Sequence, residues 1–142
     1  LGFQMLRGQF NRVDTLLRKY SIERFLESPD YDFDLYTRMQ IARTNRCNVF
    51  KFKNLISSFL QRGFDPRFPI PINSRNYCMV NGSHRVSLAY YLGIKMIPVH
   101  IIRRRGGKPY YRTWFIGKNF TAEDFDIIDD ELNNLNNFLQ ND

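Results

Sequence analysis

Three stretches of this chain carry apolar residues at three-to-four-residue spacing. Phe10, Val13, Leu17 and Tyr20 form the first. Phe52, Leu55, Ile56, Phe59 and Leu60 form the second, which stops at Gly63. Phe125, Ile128, Leu132, Leu135 and Leu139 form the third. Each predicts an amphipathic helix. Ser21 is placed to cap a second short helix that stops at Ser28, because a residue before proline disfavours the α region. Residues 30–34 read as an acidic, aromatic loop, and residues 35–41 suit helix or strand equally. Pro66, Pro69 and Pro71 predict an extended entry into a strand at Ile70–Asn73. Thr121 opens the last helix, with Glu123 and Asp124 well placed for its dipole.

Residues 77–102 combine several signals. Tyr77, Cys78, Met79 and Val80 predict a short strand. Asn81-Gly82 is a turn dipeptide, since both residues tolerate φ > 0. Ser83 is placed to cap a helix carrying Val86, Ala89 and Leu92, closed by Gly93. Residues 97–102 then return as a strand. Residues 103–108 read as a basic hairpin loop turning at Gly106-Gly107, with 110–116 as the returning strand. Asn81, Gly82, Ser83, His84 and Arg85 thus meet at a helix N-terminus. Free N–H groups and the helix dipole attract anions there. A glycine, a hydroxyl, an imidazole and a planar guanidinium together point to a phosphate group.

The pattern Asn-Gly-x-His-Arg-x-x-x-Ala-x-x-Leu-Gly followed by Ile-Pro-Val-x-Ile resembles the signature of the ParB/sulfiredoxin-like superfamily. Phe52, Leu55 and Ser58, then Gly63, then Pro71-Ile72 resemble the helix, glycine and strand that precede it. The likeness spans about residues 50–102. It implies an α+β fold, a small mixed β-sheet flanked by helices, in one domain. Residues 1–50 would be a helical N-terminal extension, 51–118 the signature core and 119–142 a C-terminal helix. It also implies a bound nucleotide: ATP or another nucleoside triphosphate, with Mg2+, its phosphates on Asn81, Gly82, Ser83, His84 and Arg85.

Departures from the relatives separate the chemistries. Sulfiredoxin has a reactive cysteine where this chain has Ser83, so sulfinic acid reduction is not expected. Kinase-like members carry an Asp before the glycine. Here Asn81 cannot accept a proton. In those relatives a catalytic acid also comes from the chain ahead of the signature, which Asp32 or Asp34 could supply beside His84. ParB itself continues into a helix-turn-helix, for which nothing after residue 102 is suited. Residues 36–39 resemble small ParB-like proteins found beside surface-polysaccharide genes. That likeness implies a kinase-like or nucleotide-sensing role towards a sugar or lipid-linked substrate, and the enzyme reading is phosphotransfer to a small hydroxylated or glycan-type acceptor. A non-catalytic nucleotide-gated interaction module and a basic nucleic-acid-binding domain are the alternatives.

Composition adds outer bounds. With 142 residues, 43% hydrophobic and 15% aromatic, the chain can fill one core. No apolar run approaches the ~18 residues of a membrane span, and no signal-peptide core opens the chain. Beginning at Leu1 rather than Met is expected of a fragment. Cys47 and Cys78 make neither a disulfide framework nor a metal set, which fits a reducing cytoplasm. The net charge of +7 is uneven: residues 61–120 carry +10 and residues 121–142 carry −7. That basic segment suits phosphates or weak, non-specific nucleic-acid binding through residues 103–108, Tyr110, Tyr111 and Trp114. Neutralisation by the acidic tail is equally open. The seam of the last helix suits either the chain's own core or self-association.

Overall fold

A computed structural model describes residues 2–5, 12–103 and 110–140. The elements run β1 (Gly2–Met5), α1 (Val13–Glu27), α2 (Asp34–Thr44), α3 (Val49–Arg62), β2 (Ile70–Asn73), α4 (Ser83–Tyr91), β3 (Met96–Ile102), α5 (Arg112–Phe115) and α6 (Ala122–Gln140). The chain is therefore α+β, with a small mixed sheet. β3 lies in its centre, antiparallel to β1 with Gly2 opposite Val99, and parallel to β2 with Ile70 opposite Val99. The parallel pair is joined through α4, a βαβ unit.

Most expected elements form, and the departures have local causes. α1 runs unbroken through Ser21, whose hydroxyl donates to Leu17 O at 2.8 Å instead of capping a new helix. The undecided 35–41 segment is helical: α2 buries Leu35, Tyr36, Met39 and Gln40 along one face. The expected 77–80 strand shrinks to one bridge, Met79 to Ile72. A turn closed by Tyr77 N–H to Asn73 O precedes it and the Gly82 turn follows, leaving no length for a ladder. Residues 110–116 form no return strand. Both edges of β3 are already taken by β1 and β2, so residues 112–115 coil into α5. Tyr110 and Trp114, four apart, meet edge to face at 4.9 Å. The loop expected at 103–108 lies outside the described residues except for Arg103.

Two clusters of buried side chains form the core. One joins the helices through Phe33, Tyr36, Met39, Phe52, Leu88 and Phe115. The other covers the sheet with Leu16, Ile70, Val86, Ala89, Ile97 and Val99. α6 serves both, sending Ile128 into the first and Leu135 into the second. Its apolar seam thus packs on the chain's own core. Among the described residues, no helix is long and apolar enough to cross a membrane.

The uneven charge is resolved by contact. Three acids of α6 meet cations elsewhere: Glu131 with Lys19 at 3.1 Å, Asp124 with Arg38 at 2.6 Å and Asp129 with Arg112 at 2.9 Å. The acidic helix therefore neutralises part of the basic body.

A denser ionic group lies beneath α1 and α2. Asp14 is fully buried and accepts from Arg12 (3.0 and 3.1 Å) and from Arg18 (2.7 Å). Arg18 also donates to Gln40 Oε1 at 2.9 Å, and Arg43 to the same oxygen at 2.6 Å. Arg43 stacks over the Tyr110 ring at 4.4 Å. Burial works against a charge on Asp14, but Arg18 and Arg12 outweigh it and hold the carboxyl below its usual range. Removing the carboxylate strands two buried guanidiniums. Asp14→Asn is expected to lower stability by about 3–5 kcal/mol, measured by urea denaturation; a loss below ~1 kcal/mol, the scale of exposed pairs, contradicts this account.

Candidate functional site

The start of α4 is shaped by Gly82. Its φ is 90°, left-handed backbone that glycine adopts without strain. A Cβ there would sit 2.7 Å from Ile70 Cδ1 and 3.1 Å from Arg85 Nη2. Gly82, not the expected Ser83, is the N-cap, and no side chain caps the helix. The left-handed Gly82 makes Ser83 the first helical residue, displacing it from the capping position. Val86 N–H makes the first turn's bond to Gly82 O at 3.0 Å. The N–H groups of residues 83–85 precede it and are the ones a helix start leaves for an anion. Asn81 is exposed, and its side-chain oxygen accepts from Gly82 N–H.

His84 and Arg85 diverge from this start into two cavities. His84 lines the first, of about 320 Å³, with Tyr36, Gln40, Cys47, Lys51 and Phe52. Arg85 lines the second, of about 660 Å³, with Ser58, Arg62, Phe64, Arg67 and Phe68. Leu55 of α3 borders both. Arg85 Nη1 donates to Phe68 O, which braces the loop between α3 and β2 against α4. Its Nε and Nη2 remain directed towards the Gly82 turn. Burial lowers the Arg85 pKa.

His84 packs edge-on against Phe52 at 4.9 Å and Tyr36 at 5.9 Å. Its Nε2 is 2.7 Å from the Tyr36 hydroxyl. Burial is the main reason its pKa falls to about 3, and the nearby Arg18 and Arg43 add to the effect. Burial pushes the Tyr36 phenol up to about 12, so it keeps its proton. His84 is therefore a neutral imidazole in working conditions.

The other expected acids sit apart. Asp32 is exposed and accepts from Asp34 N–H at 3.0 Å, opening α2. Asp34 pairs with Arg38 at 3.0 Å. Neither lines either cavity. Among the described residues, no group of three or more His, Cys, Asp or Glu could hold a metal ion. Mg2+ would have to enter on the phosphates of a nucleotide, its usual mode where protein carboxylates are few. Tyr110 and Trp114 are engaged internally, while Tyr111 is exposed.

Sequence reasoning missed Tyr36, Gln40, Arg46, Lys51 and Arg62. Tyr36 and Gln40 stand four apart on α2, a spacing that marks one helix face. Asn48 was the available signal for Lys51: it caps α3 by accepting from Lys51 N–H at 2.9 Å, which aims the first turn of α3 at the first cavity. Comparison with protein-family models, curated proteins and solved structures finds no match to this chain.

Two outcomes follow from this geometry. Gly82→Ala places a side chain in left-handed backbone and against Ile70, and is expected to cost about 1–2 kcal/mol in thermal or urea unfolding. The second concerns pH. His84 binds its proton near pH 6.5 when unfolded but near 3 when folded, so the unfolded state binds more protons between those values. Stability is complete above pH 6.5 and is lost as pH falls. Wild type should lose up to about 2 kcal/mol more than His84→Gln between pH 7 and 5; equal losses in the two proteins contradict a neutral, buried His84.

Proposed function

We propose that this chain binds a nucleoside triphosphate across the start of α4, in a ParB/sulfiredoxin-like arrangement. One observation carries the reading: the charge of the two cavities. Arg46 and Lys51 line the first; Arg62, Arg67 and Arg85 line the second. Asp65 is the only acid on either, and it is held by Arg67 at 2.8 Å. Arg46, Lys51 and Arg62 make no ion pair among the described residues. Cations gathered around concave surfaces with a single counter-charge among them favour a multiply charged anion. The free N–H groups of α4 and the Arg85 fork suit phosphate oxygens. Phe52 and Tyr36 supply an aromatic wall for an uncharged ring.

Binding without turnover is better supported than phosphotransfer. Transfer needs an acid to orient the acceptor or to hold the metal. Asp65 is engaged, Asp32 and Asp34 line neither cavity, and His84 is tied to Tyr36. The enzyme reading, with a small hydroxylated or glycan-type acceptor, requires Asp32 or Asp34 to reach the bound nucleotide.

Calorimetry with ATP, CTP, GTP and UTP, with and without Mg2+, tests the site. Lys51→Ala, Arg62→Ala and Arg85→Ala should each weaken binding by about 1.5–3 kcal/mol, the range for a hydrogen bond to a charged group. Unchanged affinity in all three removes the site. For turnover, the expectation is no nucleotide hydrolysis or transfer above background across sugar, amino-acid and lipid-linked acceptors. Turnover that disappears in Asp32→Asn or Asp34→Asn, with binding retained, would establish the enzyme reading instead.

A further inference from the structure

The two cavities share one wall. Lys51 and Leu55 of α3 line the first, and Leu55, Ser58 and Arg62 line the second. These four positions follow a four-three-four spacing, which places them on a single face of the helix. The cavities are therefore two parts of one groove along α3, with Leu55 between them. Lys51 and Arg62, eleven residues apart, stand about 16 Å from each other along the axis. Residues 35–64 hold six Lys or Arg and no Asp or Glu. Three of the six are engaged: Arg38 with Asp34 and Asp124, Arg43 with Gln40 and the Tyr110 ring, and Lys53 over the Phe25 and Phe33 rings. The other three, Arg46, Lys51 and Arg62, are exposed, line the groove and make no ion pair among the described residues. An exposed aromatic ring stands next to a cation at each end: Phe50, 73% exposed, beside Lys51, and Phe68, 62% exposed, beside Arg67. Phe68 lines the second cavity itself, and the Arg67 guanidinium lies over its ring at 5.8 Å. Neither ring belongs to a core cluster.

A mononucleotide gathers its charge at one end. A groove with unpaired cations at both ends and an apolar waist calls for charges that recur along the ligand. Acidic peptides and nucleic-acid strands are linear polyanions of that kind. The rings decide between them. Exposed aromatics interleaved with cations give bases a face to stack on, whereas carboxylate side chains gain nothing from them. Stacking on a side chain also needs unpaired bases, which favours a single strand over a duplex. We propose that the α3 groove is a binding surface for single-stranded nucleic acid, with phosphates on Arg46, Lys51 and Arg62 and bases stacked on Phe68 and Phe50. This goes beyond the triphosphate reading and does not need it, because the start of α4 supplies neither these charges nor these rings. The surface also differs from residues 103–108, the basic run that stands out in the sequence. Contacts to phosphates and ring faces carry no base-edge information, so binding is tolerant of sequence and steep in salt.

Fluorescence anisotropy of the whole chain with a labelled oligothymidylate of about eight nucleotides, within the site sizes of such grooves, tests this. Three phosphate contacts predict that the association constant falls with salt at a log–log slope of about −2, with ~0.7 per phosphate on a single strand. Lys51→Gln and Arg62→Gln should each weaken binding and make that slope shallower by about 0.7. Phe68→Ala should weaken binding by about five- to 150-fold and leave the slope unchanged. These three side chains are exposed, so the variants keep the fold, as thermal unfolding would verify. Arg24→Gln removes one positive charge outside the groove, a cation paired with Glu27, and should bind like wild type. Equal losses in Arg24→Gln and Lys51→Gln reduce the effect to bulk charge and overturn the proposal. So does a duplex of the same length, or a polyglutamate peptide, that binds as tightly as the single strand. A Phe68→Ala variant with wild-type affinity counts against it equally, and no binding at low salt removes it outright. Binding of ATP without the oligonucleotide removes the groove and keeps the triphosphate reading. Binding of the oligonucleotide without ATP does the reverse, so the two fail separately.

Discussion

Asp14 is the charge on which the helical half of this molecule depends. It is fully buried, and its two oxygens hold Arg12 and Arg18 at the start of α1. Those guanidiniums cannot give up their protons. Without the carboxylate, α1 could not bring them against α2, because an unpaired buried charge costs several kcal/mol. With it, Arg18 reaches Gln40 and docks α1 onto α2 through a polar contact at the centre of an apolar interface. The neutralisation is incomplete by design of the composition: three guanidiniums, Arg12, Arg18 and Arg43, converge on one carboxylate and one amide oxygen. The remaining positive field falls on His84, where it adds to burial in keeping the ring uncharged. One buried anion thus holds two helices together and sets the electrostatics of the candidate site.

Periodicity made the helices legible. The apolar repeats of α3 and α6 are long and bounded by Asn48, Gly63 and Thr121, which act where they stand. The Gly82 turn and the β2–α4–β3 unit were legible for the same reason, since glycine and proline restrict the backbone locally. What misled were choices decided by distant partners. Ser21 reads locally as a cap, but its hydroxyl is satisfied inside a continuous helix. Residues 110–116 follow a Gly-Gly turn signal and are rich in aromatic residues, which suits a strand, yet β3 has no free edge to receive one. β1 carries no signal that separates it from a loop; its pairing with β3 alone makes it a strand.

The site was half legible for a related reason. Adjacent residues at a helix start can be read together, and His84 and Arg85 do share the start of α4. Adjacency along a helix, however, means divergence by about 100° around its axis. The two side chains therefore enter different cavities, one backed by α2 and the other by the loop before β2. Their neighbours come from 15 to 50 residues upstream and could not be found by reading near the motif. The acids suffered the opposite error. Asp32 and Asp34 attracted attention as the acid-rich stretch outside the tail, but their places at the opening of α2 are explained by Asp34 N–H and Arg38.

These features bear jointly on what His84 can do. A histidine beside an arginine at a helix start invites a catalytic role, and position alone does not exclude one. The deciding matter is which ring nitrogen is free and whether it holds a proton. Burial and the arginine field keep the ring neutral, and the Tyr36 hydroxyl occupies Nε2. A nitrogen that keeps its proton cannot deprotonate an acceptor, whereas it can hold a phosphate oxygen with fixed direction and little reorganisation. The charge that packs α1 on α2 thus also sets the electrostatics around His84.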